Sequence, residues 1–140
     1  MKLMKILSLA LIALALTAAS ASALTQADIA KIAPTARAPW KASHCYGREL
    51  VNVVQPSTLP RGDDGWRAQG AAMGVGDPLC RVLISSALTL ERACTVLTHE
   101  FGHLAGLEHS ENRRSVMYWD APEPRRCWKF SPELKRAGLV

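Results

Sequence analysis

The stretch that decides the reading is His99-Glu100-Phe101-Gly102-His103-Leu104-Ala105-Gly106-Leu107-Glu108-His109. On a helix, residues four apart share a face, about 5–6 Å apart at Cβ. His99 and His103 can therefore face one metal ion together, with Glu100 beside them. Gly106 stands three residues after His103. Glycine takes a left-handed backbone conformation without a Cβ penalty and commonly ends a helix. The chain can then turn back and bring His109 as a third ligand. Three imidazoles suit one tetrahedral Zn2+ whose fourth position is left to water, the pattern of catalytic rather than structural zinc.

Upstream, Thr89 is a fitting N-cap for a helix from about Leu90 to Ala105. Leu90, Cys94, Leu97, Phe101 and Leu104 fall on one face of it, and His99 and His103 point nearly opposite. Downstream come Ser115-Val116-Met117-Tyr118.

The long histidine motif with a methionine at this distance resembles the metzincin zinc endopeptidases. The run HEFGHLAGLEHS, with Ser110 and the Met117-Tyr118 pair, is most similar to the matrixin (matrix metalloproteinase-like) branch, over residues 89–119. The resemblance implies a small α+β, zincin-like domain. Its mixed sheet packs on an active-site helix, followed by the Met-turn and a short C-terminal helix. It implies zinc on His99, His103 and His109, Glu100 as general base, and Met117 as the bend beneath the metal. It makes residues 69–74 a sheet edge that pairs with peptide, with Gly70, Ala71 and Ala72 at the substrate. Trp119 would begin the wall of the pocket beyond the scissile bond, and the Tyr118 phenol is a candidate contact to the transition state. Trp119 stands where the branch usually has proline. The cysteine-switch pattern PRCGxPD is absent, and with only His44 to spare the second, structural zinc of matrixins is not expected.

The whole chain sets bounds on this. It has 140 residues, enough for one domain. Lys2 and Lys5, the apolar run Ile6–Leu16 and Ala21-Ser22-Ala23 read as a signal peptide over 1–23, cut after Ala23. An N-terminal arm over 24–44 and a catalytic domain over 45–140 follow. The protein is expected to be secreted or periplasmic, monomeric, and free of the membrane once the signal is removed. Without Lys2 and Lys5 the formal charge falls from +5 to +3. No basic stripe with interleaved aromatics argues for nucleic acid. Arg113-Arg114 and Arg125-Arg126 read as solvated loop charge.

Cys45, Cys80, Cys94 and Cys127 suggest two disulfides in an exported chain. Three pairings are possible and sequence does not choose; Cys45–Cys80 with Cys94–Cys127 is preferred. Thr25 and Asp28 predict a capped short helix, Ala27 to Ile32, with an extended arm after Pro34 and Pro39. Glu49–Val54 and Arg81–Ser85 read as strands. Arg61-Gly62-Asp63-Asp64-Gly65 is turn chemistry rather than an adhesion signal. Asp63 and Asp64 leave a calcium requirement open. Glu133–Leu139 reads as a closing helix after Ser131-Pro132. The competing function is a non-catalytic, metzincin-like zinc-binding module that holds a peptide or partner protein. Intact Glu100 argues against it, because a pure binder needs no base there.

Overall fold

The computed structural model describes residues 23–74 and 78–119. Most of the expected signal peptide, Cys127, Arg125-Arg126 and the expected closing helix lie outside the described residues.

Thr25 sets the first element. Its side chain accepts the Asp28 N–H while the Asp28 carboxylate accepts the Thr25 N–H, a reciprocal cap. Helix α1 then runs Gln26–Arg37, through Pro34. This corrects the expected short helix with an extended arm. Pro34 lacks an N–H and crowds the preceding turn, yet it is exposed to solvent. The opposite flank, Ile29, Ala33 and Ala36, is buried in the core and keeps the helix going. A 3-10 turn, Ala38–Trp40, follows.

Strands β1 (Leu50–Val54), β2 (Gly70–Ala72) and β3 (Arg81–Ser85) form one mixed sheet in the order β1-β3-β2. β1 runs parallel to β3, and β2 antiparallel to it. Val82 and Ile84 of the central strand are fully buried. β2 is therefore a sheet edge. The loop before it is the expected turn. Asp64 Oδ1 accepts the Trp66 N–H at 3.0 Å, and Gly65 sits at φ +83°, where a side chain would be strained.

Helix α2 (Leu90–Leu104) is capped by the Thr89 side chain, which accepts the Arg92 N–H. It packs on β2 and β3, and α1 packs on α2 and β1. Of the expected apolar stripe, Cys94, Leu97, Phe101 and Leu104 are buried, while Leu90 in the first turn is 42% exposed. The burial is wider than one stripe, because every residue from Ala93 to Gly102 is covered. Thr95 and Thr98 tolerate this by donating to the carbonyls of Glu91 and Cys94, one turn back. The fold is α+β and zincin-like.

Two ties bind residues 24–45 to this core. Cys45 and Cys80 form a disulfide, with Cα atoms 5.4 Å apart across a sequence separation of 35. Closing a loop of that length stabilises the fold by about 3–4 kcal/mol in the chain-entropy picture. Cys94 is also disulfide-bonded; its expected partner, Cys127, lies outside the described residues. The second tie is Trp40, which is buried and donates its indole N–H to the Thr98 carbonyl of α2 at 2.9 Å. Residues 24–40 thus share one core with the sheet and α2.

Trp40→Ala should lower stability by about 3–5 kcal/mol, the usual cost of emptying a buried tryptophan site. Urea denaturation of the two proteins measures it; a loss under about 1 kcal/mol would mean that Trp40 does not hold α1 to α2.

Candidate metal centre

Three histidines converge at the C-terminal end of α2. The helix ends in a Schellman turn. The Leu107 N–H bonds the Gly102 carbonyl at 3.0 Å, and the Gly106 N–H bonds His103 at 2.9 Å. Gly106, at φ +89°, makes the reversal possible. The turn does two jobs. It swings His109 back toward the helix, and it aims the Leu107 carbonyl at His103 Nδ1, 2.8 Å away. His99 Nδ1 lies 2.7 Å from the Val116 carbonyl. That carbonyl belongs to the methionine bend, which is closed by the Ser110 N–H on the Met117 carbonyl at 2.8 Å.

A carbonyl only accepts, so Nδ1 of His99 and of His103 must carry the proton. In the neutral rings both Nε2 atoms are then bare lone pairs. They stand 3.0 Å apart, and His109 Nε2 is 3.2 Å from His103 Nε2. Lone pairs at that distance repel unless a cation lies between them. Zn–N bonds of about 2.0–2.1 Å at tetrahedral angles put neighbouring nitrogens about 3.3 Å apart. The spacing and chemistry of the three rings fit a zinc ion. Burial, the largest influence, holds the His99 imidazolium pKa down to about 4 and lowers that of His103. Both rings thus favour the neutral form that a metal requires.

Glu100 is 6% exposed. Burial pushes its pKa up to about 7, opposed by one hydrogen bond from the Ala72 N–H to Oε2 at 2.7 Å. A second cluster, His44 with Cys45 and Cys80, has metal-ligand types within reach, but its sulfurs are spent in the disulfide. Among the described residues, neither Asp63 nor Asp64 joins a metal-holding group.

The histidines and Glu100 line a cleft of about 930 Å³, bounded by β2, the loop from Gly62 to Gln69, and Trp119. Gly70, Ala71, Ala72 and Trp119 line this cleft. Tyr118 is not among its lining; its ring packs on Trp119, 5.4 Å between centroids. Arg113 and Arg114 are exposed but not part of the cleft wall. Arg92 is, its Nε donating to Gln69 at 2.6 Å. Gly70 has a use the sequence reading did not assign: a Cβ there would meet Val96 at 2.6 Å and Glu100 at 3.0 Å. Its smallness seats α2 against the strand.

Sequence reasoning also missed the carbonyl of Val116, the amide of Ala72 and the role of Gly102. Backbone groups leave no trace in residue type. Gly102 did leave one, since glycine inside a helix costs about 1 kcal/mol against alanine and calls for a packing reason. Here the reason is Met117, whose sulfur occupies the place of a Cβ at Gly102, with the Trp40 ring 3.2 Å from it. The bend beneath the histidines is thus seated on a bare α-carbon.

Gly102→Ala should therefore destabilise by about 1–3 kcal/mol through overpacking, despite its better helix propensity, and should weaken metal affinity by displacing Val116. Thermal unfolding and zinc titration report the two effects, and unchanged values for both would refute the packing account. A second expectation concerns pH in metal-free protein. The folded pKa of Glu100 lies above its unfolded value, so its neutral form stabilises the fold fully below about 4.5, and this is lost as pH rises through about 7. Glu100→Gln should be more stable than wild type at pH 8, by up to about 3 kcal/mol, with the difference gone near pH 4. Denaturation in chelator across that range tests it, and a difference independent of pH would exclude the burial effect.

Residues 60–128 match the family model of the matrixins. Comparison with curated proteins gave no match. This match supports a matrixin-like metzincin of the metallopeptidase kind.

Proposed function

We propose that the chain is an exported, zinc-dependent endopeptidase, with a single catalytic Zn2+ held by Nε2 of His99, His103 and His109. The observation that carries this reading is the pair of Nε2 lone pairs 3.0 Å apart, each ring fixed by a carbonyl on its other nitrogen. Zinc when bound supplies Lewis acidity, lowering the pKa of a water and polarising the peptide carbonyl. Glu100 takes a proton from the attacking water and returns it to the leaving amine. Burial raises the carboxyl's pKa in the metal-free site, which favours its taking up the proton. Peptide substrate lies extended along β2, whose edge offers main-chain bonds. Trp119 flanks the cleft at 64% exposure and contributes apolar area to the bound side chains. Export by residues 1–23, with cleavage after Ala23, accounts for oxidised cysteines. Among the described residues no helix is long and apolar enough to cross a membrane, and the working form is a monomer.

Casein incubated with the mature protein should be cut, and a chelator should stop it. Glu100→Ala should keep stoichiometric zinc while cleavage falls by roughly 100-fold or more. Cleavage by that variant at the wild-type rate would sink the assignment of Glu100.

A further inference from the structure

Among the described residues β2 is an open edge of the sheet, and its main chain has few groups to offer. The Ser85 N–H bonds the Gln69 carbonyl at 2.9 Å and the Met73 N–H bonds Arg81 at 3.0 Å. With the antiparallel register, this alternation turns the main-chain groups of 69, 71 and 73 toward β3. The N–H and C=O of Gly70 and of Ala72 face the open side. One of these four groups is already engaged, because the Ala72 N–H donates to Oε2 of Glu100 at 2.7 Å. The other carboxylate oxygen lies over Gly70, where an added Cβ would come within 3.0 Å of it. Glu100 is thus bonded to the strand through Oε2, with Oε1 beside the bare Gly70, and it stands in the same cleft as the three histidines.

We infer that the Ala72 amide is a positioning group for the base and not a grip for substrate. The inference rests on the reading of Glu100 as that base. A peptide laid antiparallel on β2 forms a two-bond pair with Gly70. At Ala72 it forms one bond only, its own N–H to the Ala72 carbonyl. The strand divides its work: Gly70 binds the peptide and Ala72 aims the carboxylate. A carboxylate released from Ala72 is free to rotate, so the loss falls on turnover and leaves binding intact.

The test replaces residue 72, and separately residue 70, by the matching α-hydroxy acid, which exchanges one backbone N–H for an ester oxygen. Both proteins are loaded with equal zinc and assayed on a fluorogenic peptide. The ester at 72 should lower kcat roughly tenfold or more, the weight of one hydrogen bond to a charged group, with KM unchanged. The ester at 70 should raise KM and leave kcat. A raised KM with full kcat for the ester at 72 would overturn the inference, since the amide would then serve the substrate. A second measurement leaves the strand unaltered. In amide NMR of wild type and Glu100→Ala, the Ala72 proton should move upfield and exchange faster in the variant, while Gly70 keeps its exchange rate. An Ala72 resonance indifferent to Glu100 overturns the contact. Zinc-loaded wild type that cuts no peptide would overturn the endopeptidase reading instead, with the resonance shift still deciding the contact.

Discussion

Everything at the centre depends on one electrostatic constraint. Two imidazoles whose Nδ1 protons are committed to carbonyls present bare Nε2 lone pairs to each other at 3.0 Å. Such an arrangement is held by the surrounding fold. Each holding carbonyl comes from a different device. Leu107 supplies one as a by-product of the helix stop at Gly106, and Val116 supplies the other from the bend that buries Met117. Helix termination, the methionine bend and ligand orientation are therefore one mechanical unit. A metal held by these rings would have as its outer partners the backbone that shapes the turns.

The same unit explains why α2 is buried so completely. A helix that carries ligands must not rock, because a displacement of a few tenths of an ångström changes ligand spacing. Here the sheet takes one flank through the close approach at Gly70, and α1 with Trp40 takes another. Met117 fills the notch at Gly102. Two glycines without strained φ angles serve as contact points, and in both the missing Cβ is what matters. A small domain with a three-stranded sheet gains rigidity this way, and the Cys45–Cys80 bridge adds to it.

The site was legible in the sequence because it is local. Residues 89–119 carry the capping threonine, the helical spacing, the stopping glycine and the third histidine, so short-range rules reach all of them. α2 was expected from Leu90 to about Ala105 and runs Leu90–Leu104. β1 and β3 stood out through β-branched runs, while β2 was expected only from the family resemblance. What the sequence concealed is long-range. Pro34 argues for a break by local rules, and burial of Ile29, Ala33 and Ala36 against distant residues overrides it. Trp40 reaches Thr98 across 58 residues, and no pattern announces that. Nor can composition show that the acidic residue beside the ligands would be bonded by a main-chain amide from the edge strand.

That last contact ties the sheet to the buried acid and explains why the edge strand is so poor in large side chains. Larger side chains at 70 would push Val96 and Glu100 away, and the carboxylate would lose its seat on the strand. A β-branched residue, the usual choice for strand stability, is excluded at Gly70 by the helix beneath. β2 therefore gives up intrinsic strand propensity for proximity, and it is held in place by pairing with the fully buried Val82 and Ile84 of β3. The weak-looking run Gly70-Ala71-Ala72 is an expected outcome of placing a buried acid within hydrogen-bond reach of a sheet edge. Strand stability comes from the neighbour, and the edge is left thin enough for the acid to touch it.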